Sequence, residues 1–168
     1  MIKVVGISGS LRKGSYNTAL LRAAQRLMPA GSSLELVSID DIPLYNADID
    51  ASGTPAPVST AKAKIIEAQG ILFSTPEYNH SIPGVLKNAI DWFSRPAGDI
   101  PSVFGSKPVA IIGATPGGFG TVHAQTAMLP IFRLFKMRPC YANSLLISQA
   151  NTRLDDEVKK IDAELQQP

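Results

Sequence analysis

The sequence predicts an α/β fold: a five-stranded parallel sheet in the order 2-1-3-4-5, with helices on both faces as a three-layer sandwich. Three observations predict it. Short apolar runs alternate with stretches of helical periodicity five times along the chain, the pattern of successive strand and crossover-helix units in a parallel sheet. The junctions after the first, third and fourth strands are rich in Gly, Ser, Thr or Pro, and open α/β sheets bind ligands where such loops gather beyond the carboxyl ends of the strands. At 168 residues, 45% of them hydrophobic, the chain can bury one sizeable core, so a single domain over residues 1–168 is expected.

The first strand is Ile2 to Ile7, a β-branched run of the kind buried on both faces. After the loop that follows, Leu20, Leu21, Ala24, Leu27 and Met28 recur at helical spacing and predict one apolar helix face. Leu34 to Ile39 is the second strand, and its alternation from Leu34 to Val37 places it nearer a sheet edge. Asp40 to Ser59 carries Pro43, Gly53, Pro55 and Pro57 without lasting periodicity and reads as a surface loop. A short helix from Ala61 to Gln69, stopped by Gly70, leads into a buried third strand, Ile71 to Phe73. Val85, Leu86, Ala89, Ile90 and Phe93 form the apolar face of the next helix, with Pro83 near its first turn, where a missing N–H is tolerated. Pro108 to Ile112 is the fourth strand. The helical pattern from Val122 to Lys136 contains Pro130, which predicts a kink or a division near Thr126. Ser144 to Ile147 is a weaker fifth strand, and Asp155 to Leu165 is a closing polar helix with Val158, Ile161 and Leu165 inward.

The loop Gly9-Ser10-Leu11-Arg12-Lys13-Gly14-Ser15-Tyr16-Asn17 joins the first strand to the first helix. A strand that turns directly into a helix gathers unpaired N–H groups at a point where the helix dipole favours an anion. Ser10, Ser15 and Asn17 add short donors, and Arg12 adds a positive fork suited to phosphate oxygens. The plainer alternative is that Ser15 or Asn17 only caps the helix while Arg12 is a solvated loop cation. The order Lys13-Gly14-Ser15 is not that of a Walker A loop, and Gly6, Gly9 and Gly14 lack the dinucleotide spacing. What is left is a cradle for one phosphate, as a mononucleotide requires.

After the third strand, Pro76 fixes the backbone while Glu77, Tyr78 and Asn79 offer an aromatic face and polar edges to a planar ligand. The alternative there is a proline-rich turn with a helix cap at Ser81. After the fourth strand, Gly113 to Gly120 has a glycine density that lets backbone come close to a ligand. One loop for a phosphate and two around something flat suggest flavin mononucleotide (FMN).

Composition narrows the classes. A net charge of +2, with no basic stripe and no aromatics interleaved with cations, argues against a nucleic-acid partner. A lone Cys140 and two histidines supply no disulfide framework, iron–sulfur ligand set or four-ligand zinc site, so redox chemistry calls for a bound organic cofactor and no metal is expected. No apolar run has the length of a membrane span, and the first residues run straight into strand sequence without a signal-peptide pattern; a cytoplasmic protein without a membrane partner is expected.

The Gly9 to Asn17 loop, together with Pro76-Glu77-Tyr78-Asn79 and Pro83-Gly84-Val85-Leu86-Lys87-Asn88-Ala89-Ile90-Asp91-Trp92, closely resembles the NADPH-dependent FMN reductase family, in particular its bacterial chromate and quinone reductase branch. The likeness runs to about Gly120 and includes Ile42-Pro43-Leu44-Tyr45. It implies a flavodoxin-like fold and an enzyme that takes a hydride from NADPH or NADH and passes two electrons to quinones or similar acceptors, among them chromate, azo or nitro compounds and free flavin. By that resemblance Ser10, Arg12, Ser15 and Asn17 hold the FMN phosphate, with backbone from Leu11 and Tyr16. Pro76, Glu77, Tyr78 and Asn79 line the ring, largely through the main chain, and Ala114, Thr115 and Gly118 close over its edge. The family also implies a homodimer or homotetramer with the flavin sites near the interface.

The sequence departs from the family at Pro116 and Phe119, and in a helix that contains Pro130 and lacks basic and aromatic residues near Val122 and Gln125. His80 reads as a rim histidine rather than an assigned proton donor, and Trp92 and Phe93 as core or dimer-interface residues. No general acid or base is assigned, because a flavin carries the chemistry itself. Two other readings share the fold and cofactor: a flavodoxin-like electron carrier, which usually shows an acidic surface that this charge balance does not provide, and a non-catalytic FMN-binding sensor.

Overall fold

In the computed structural model, which describes residues 1–142 and 144–154, the sheet grows outward from β1 (Ile2–Ser8). This strand pairs in parallel with β2 (Ser32–Val37) on one side and β3 (Gly70–Ser74) on the other. β3 pairs with β4 (Pro108–Ala114). The order β2-β1-β3-β4-β5 is the predicted flavodoxin-like one, with one correction at its far edge. Two short strands share that edge: β5 (Arg138–Pro139) runs beside Pro108 and Val109, and β6 (Leu145–Ile147) beside Ile112 to Ala114. Pro139 brings no N–H to the ladder, a defect tolerated only at a sheet edge. The chain leaves β4 after Cys140, whose N–H still reaches the Val109 carbonyl.

The helices begin and end where local chemistry allows. α1 (Tyr16–Arg26) is capped by the Ser15 hydroxyl, which accepts from Thr18 N; it buries Asn17, Ala19 and Leu21. Leu27, predicted on its apolar face, falls just past its end and is exposed. The stretch read as a loop from Asp40 to Ser59 holds α2 (Ala47–Ser52), capped by the Asn46 side chain, and the start of α3 (Ala56–Glu67). α3 begins before the predicted Ala61 because Pro57 lies in its first turn, where proline costs no hydrogen bond. Its carboxyl end is closed by Lys107, which donates to the Ile66 and Ala68 carbonyls; burial holds that ammonium below its ordinary range. α4 (Gly84–Phe93) follows β3, and a 3-10 turn (Ala97–Asp99) leads to α5 (Ile100–Val103).

α6 (Val122–Leu134) runs through Pro130 as one helix, so the predicted division near Thr126 does not occur. Pro130 and Thr126 both lie on the exposed side, where water can satisfy the carbonyl that the proline leaves free. Ala124, Met128 and Phe132 face the core. α7 (Ala150–Arg153) follows β6, and the closing helix predicted from Asp155 lies outside the described residues.

Alternation along the strands sorts the two faces. Val5, Ile7, Ile71, Phe73 and Val109 pack with residues of α3, α4 and α6 in one buried cluster. Gly6 points the other way, where a Cβ would lie 3.1 Å from Leu21 of α1. Trp92 and Phe93 are fully buried within the single chain and belong to the core. Trp92 also donates its indole N–H to the Pro43 carbonyl at 2.8 Å, and Asn88 bonds both Pro43 O and Tyr45 N, so the Ile42 to Tyr45 stretch is anchored to α4.

Candidate functional site

The carboxyl ends of β1, β3 and β4 lie side by side, and the three loops singled out in the sequence leave from them. The first is shaped by its own short side chains. Ser8 Oγ receives Thr18 Oγ1 at 3.0 Å and Ser10 N at 3.3 Å, and Ser10 Oγ accepts from Arg12 N. Gly9 N donates to Ser74 O, and a Cβ there would crowd Thr75 and Leu86, so the loop passes close over β3. Gly14 takes a left-handed φ of 66°, the turn that admits the chain to α1.

Arg12 donates to Gly14 O at 2.6 Å and spreads over the Tyr16 ring at 4.8 Å, with its guanidinium at the loop's surface. Ser15 is buried as the cap that the plainer reading of the sequence foresaw, its hydroxyl accepting from Thr18 N, one of the first-turn N–H groups of α1 that have no partner in the helix ladder. Leu11 and Lys13 are exposed. A cavity of about 330 Å³ opens between this loop and the end of β2, lined by Ser10, Arg12, Lys13, Ser15, Ser38 and Asp40 among others.

Asn17 points elsewhere. It is 2% exposed, and its carboxamide faces the strand ends: Oδ1 accepts from Ser74 Oγ at 3.1 Å and from Ala114 N at 3.0 Å, while Nδ2 donates to Ala114 O at 2.9 Å.

The second and third loops are fastened to each other. Thr75 is fully buried, Pro76 is buried, and Thr75 N donates to Ile112 O. Tyr78 and Ser81 exchange both backbone bonds across a two-residue turn in which Asn79 and His80 are left-handed. This tight turn holds Tyr78, Asn79 and His80 out at the surface. Glu77 does not face solvent alone: Oε2 accepts from His123 N at 2.8 Å and Ala124 N at 3.2 Å, capping α6 from another loop. His80 stacks on His123 with ring centroids 4.5 Å apart, and Phe119 meets both rings edge-on at 5.2 Å.

Ala114 and Thr115 are buried, with Thr115 N bonded to Ile147 O, whereas Gly118 is exposed with open space around it. Among the described residues no three His, Cys, Asp or Glu side chains converge as a metal site, and no helix is long and apolar enough to cross a membrane.

The model of the NADPH-dependent FMN reductase family matches residues 2–152. The chain belongs to the NADPH-dependent FMN reductase family. It is 47% identical to an NAD(P)H-dependent FMN reductase of Pseudomonas aeruginosa over 96% of this chain and 85% of that one. It is 40% identical to a 2-hydroxy-1,4-benzoquinone reductase of Burkholderia sp. over 96% and 83%. In structure it superimposes on FerB, a flavoenzyme NAD(P)H:(acceptor) oxidoreductase from Paracoccus denitrificans, with a TM-score of 0.79 and 30% identity, covering 97% of this chain and 94% of that one.

Within this reductase, the three loops singled out in the sequence leave neighbouring strand ends, but sequence reasoning missed how two of them are tied. Glu77 and His123 are 46 positions apart, and no local pattern announces that a carboxylate in one loop caps a helix that follows another. The sequence points the other way at the helix itself: Thr121 is a favoured cap residue, and only the structure shows that its side chain makes no capping bond and that Glu77 accepts from the first turn.

Proposed function

We propose that this reductase holds FMN across the ends of β1, β3 and β4 and moves two electrons from NADPH or NADH to a quinone. The observation that carries the reading is the junction of three motif loops at one sheet edge, through Gly9 with Ser74 and Asn17 with Ala114. The donor set fits a phosphate monoester beside a flat ring. Ser10, Arg12 and Ser15, with N–H groups of Leu11 and Tyr16, are assigned to the phosphate, where a fixed cationic fork and a helix start both favour a dianion. Asn17 lies at the same helix start with its side chain turned to the strand ends. Pro76, Glu77, Tyr78 and Asn79 are assigned to one side of the ring, mainly through backbone, and Ala114, Thr115 and Gly118 to its edge.

Bound FMN supplies hydride acceptance and return, and the protein supplies position. The buried Thr75 and the trans cap from Glu77 hold the ring loops still, so that donor and acceptor stack in a fixed place in turn. Exposed Tyr78 and the His80, Phe119 and His123 rings border the side from which a planar acceptor enters. Quinones are the proposed acceptors, in line with the benzoquinone reductase relative; chromate, azo and nitro compounds and free flavin are secondary ones. The reading extends to a single cytoplasmic FMN-binding domain, active as a homodimer or homotetramer.

Anaerobic mixing of the FMN-loaded protein with NADPH or NADH, followed at the flavin's long-wavelength absorbance, tests this. Bleaching within the mixing experiment, with recovery on adding a quinone, is the expected result, and the faster nucleotide identifies the donor. Flavin that stays oxidised with both nucleotides would replace the reductase by an electron carrier or an FMN-binding sensor.

A further inference from the structure

We infer that Asn17 is a positioning residue that fastens the three strand ends under the flavin, and is not a ligand of the phosphate. The motif that contains it thus divides into two jobs. Ser10, Arg12 and Ser15 stand along the loop and beside its cavity, whereas the Asn17 side chain leaves the loop and turns under the sheet edge.

The bonding leaves the carboxamide little to offer an anion. Oδ1 has two acceptor sites, and Ser74 Oγ and Ala114 N take both. Nδ2 spends one of its two hydrogens on Ala114 O. The amide therefore meets Ala114 as a neighbouring antiparallel strand would, exchanging one bond each way with the same residue. Ala114 belongs to β4, Ser74 to β3, and Asn17 to the helix that follows β1. One side chain thus couples all three strands whose loops form the site.

Burial makes the coupling consequential. Asn17 is 2% exposed, Ser74 fully buried and Ala114 1% exposed, so water cannot replace a bond that is removed. On the β3 side the same edge is closed by Gly9 N to Ser74 O and Thr75 N to Ile112 O. Removing Asn17 would free both the N–H and the carbonyl of Ala114, and with them the start of the loop that borders the ring. The whole flavin then loses its seat, not its phosphate alone.

The inference rests on the FMN reading, and flavin titration of the flavin-free full-length chain separates the two. Wild type that fails to bind FMN removes that reading before any variant is made. FMN and riboflavin share the ring and differ by the phosphate, so a phosphate ligand and a positioning residue leave different marks. Asn17→Ala is expected to weaken FMN and riboflavin by the same factor, about tenfold or more. Arg12→Ala is expected to weaken FMN about tenfold and leave riboflavin unchanged. Phe104→Leu, a core change where the ring stacks on Phe135, is expected to lower melting temperature while both affinities stay, which separates positioning from loss of stability.

Amide exchange gives a readout independent of flavin: the Ala114 N–H is slow in wild type and fast in Asn17→Ala. If Asn17→Ala does not fold, Ser74→Ala removes one partner of Oδ1 and is expected to weaken both flavins equally, by a smaller factor. Loss of FMN binding with riboflavin unaffected in the Asn17 or Ser74 variant, unchanged binding of both flavins, or an unchanged Ala114 amide would each overturn the inference.

Discussion

The loop after β1 keeps its shape with bonds that span two to ten positions of one segment, whereas the loops after β3 and β4 keep theirs by gripping each other. In the first, Ser8, Ser10, Arg12, Gly14, Ser15 and Thr18 bond within one short stretch. In the second pair, Glu77 caps α6, His80 stacks on His123, and Gly113 leaves room for Thr75 and Thr121. On the proposed reading, a phosphate cradle can be assembled from one segment because its ligand is small and its donors are local. A seat for a flat ring needs two walls at a set separation, and only contacts between distant segments can set it. Asn17 belongs by position to the first region and by bonding to the second.

The contrast breaks most severely at Gly113. A Cβ there would lie 2.3 Å from Thr75 O and 2.5 Å from Thr121 Oγ1, and one of these atoms is backbone. Gly113→Ala must therefore push β3 and β4 apart, and it is expected to cost about 3 kcal/mol or more. Thermal unfolding checks the size, and the flavin should be lost during purification. A smaller effect sharpens the contrast at Glu77. Glu77→Ala uncaps α6 while leaving the first loop intact, at about 1 kcal/mol. Steady-state kinetics should show a raised KM for quinone, and titration an unchanged preference for FMN over riboflavin; a collapse of that preference would mean that the two regions are not separable.

The smallest effect belongs to a region outside both. Hydrogen bonds from Lys64 and then Lys3 hold the Glu35 carboxyl below its ordinary value of 4.5. A carboxyl depressed in the folded state adds stability that is present above its unfolded value and lost as pH falls through the folded one. Glu35→Gln should therefore melt slightly lower than wild type at neutral pH, converge with it in acid, and differ less in high salt, since the group is only half-buried. Melting curves across pH and ionic strength measure this.

Much of the fold was legible in the sequence because strand burial and helix amphipathicity are periodic, local properties. Ile2 to Ile7, Ile71 to Phe73 and Pro108 to Ile112 all lie inside observed strands. The misreadings have local causes that tertiary contacts override. Pro57 was counted as a breaker but sits in a first helical turn, Pro130 is carried on the wet side of α6, and the two-residue β5 at Arg138–Pro139 went unread, while the strand expected at Ser144 to Ile147 is β6. For the candidate site, three loops that the structure brings side by side could be named, yet the partners of their side chains could not.

By itself the sequence determined the alternation of strands and helices, the order that follows from it, and the family whose motifs the loops carry. Each depends on neighbours in the chain or on spacing along it. Only the tertiary structure decided that the Asn17 amide spends itself on Ser74 and Ala114, that Glu77 caps α6, and that Trp92 and Phe93 are core. Those outcomes depend on which groups from distant segments lie within hydrogen-bond reach once water is excluded. That is a property of the packed sheet edge, and no single segment contains it.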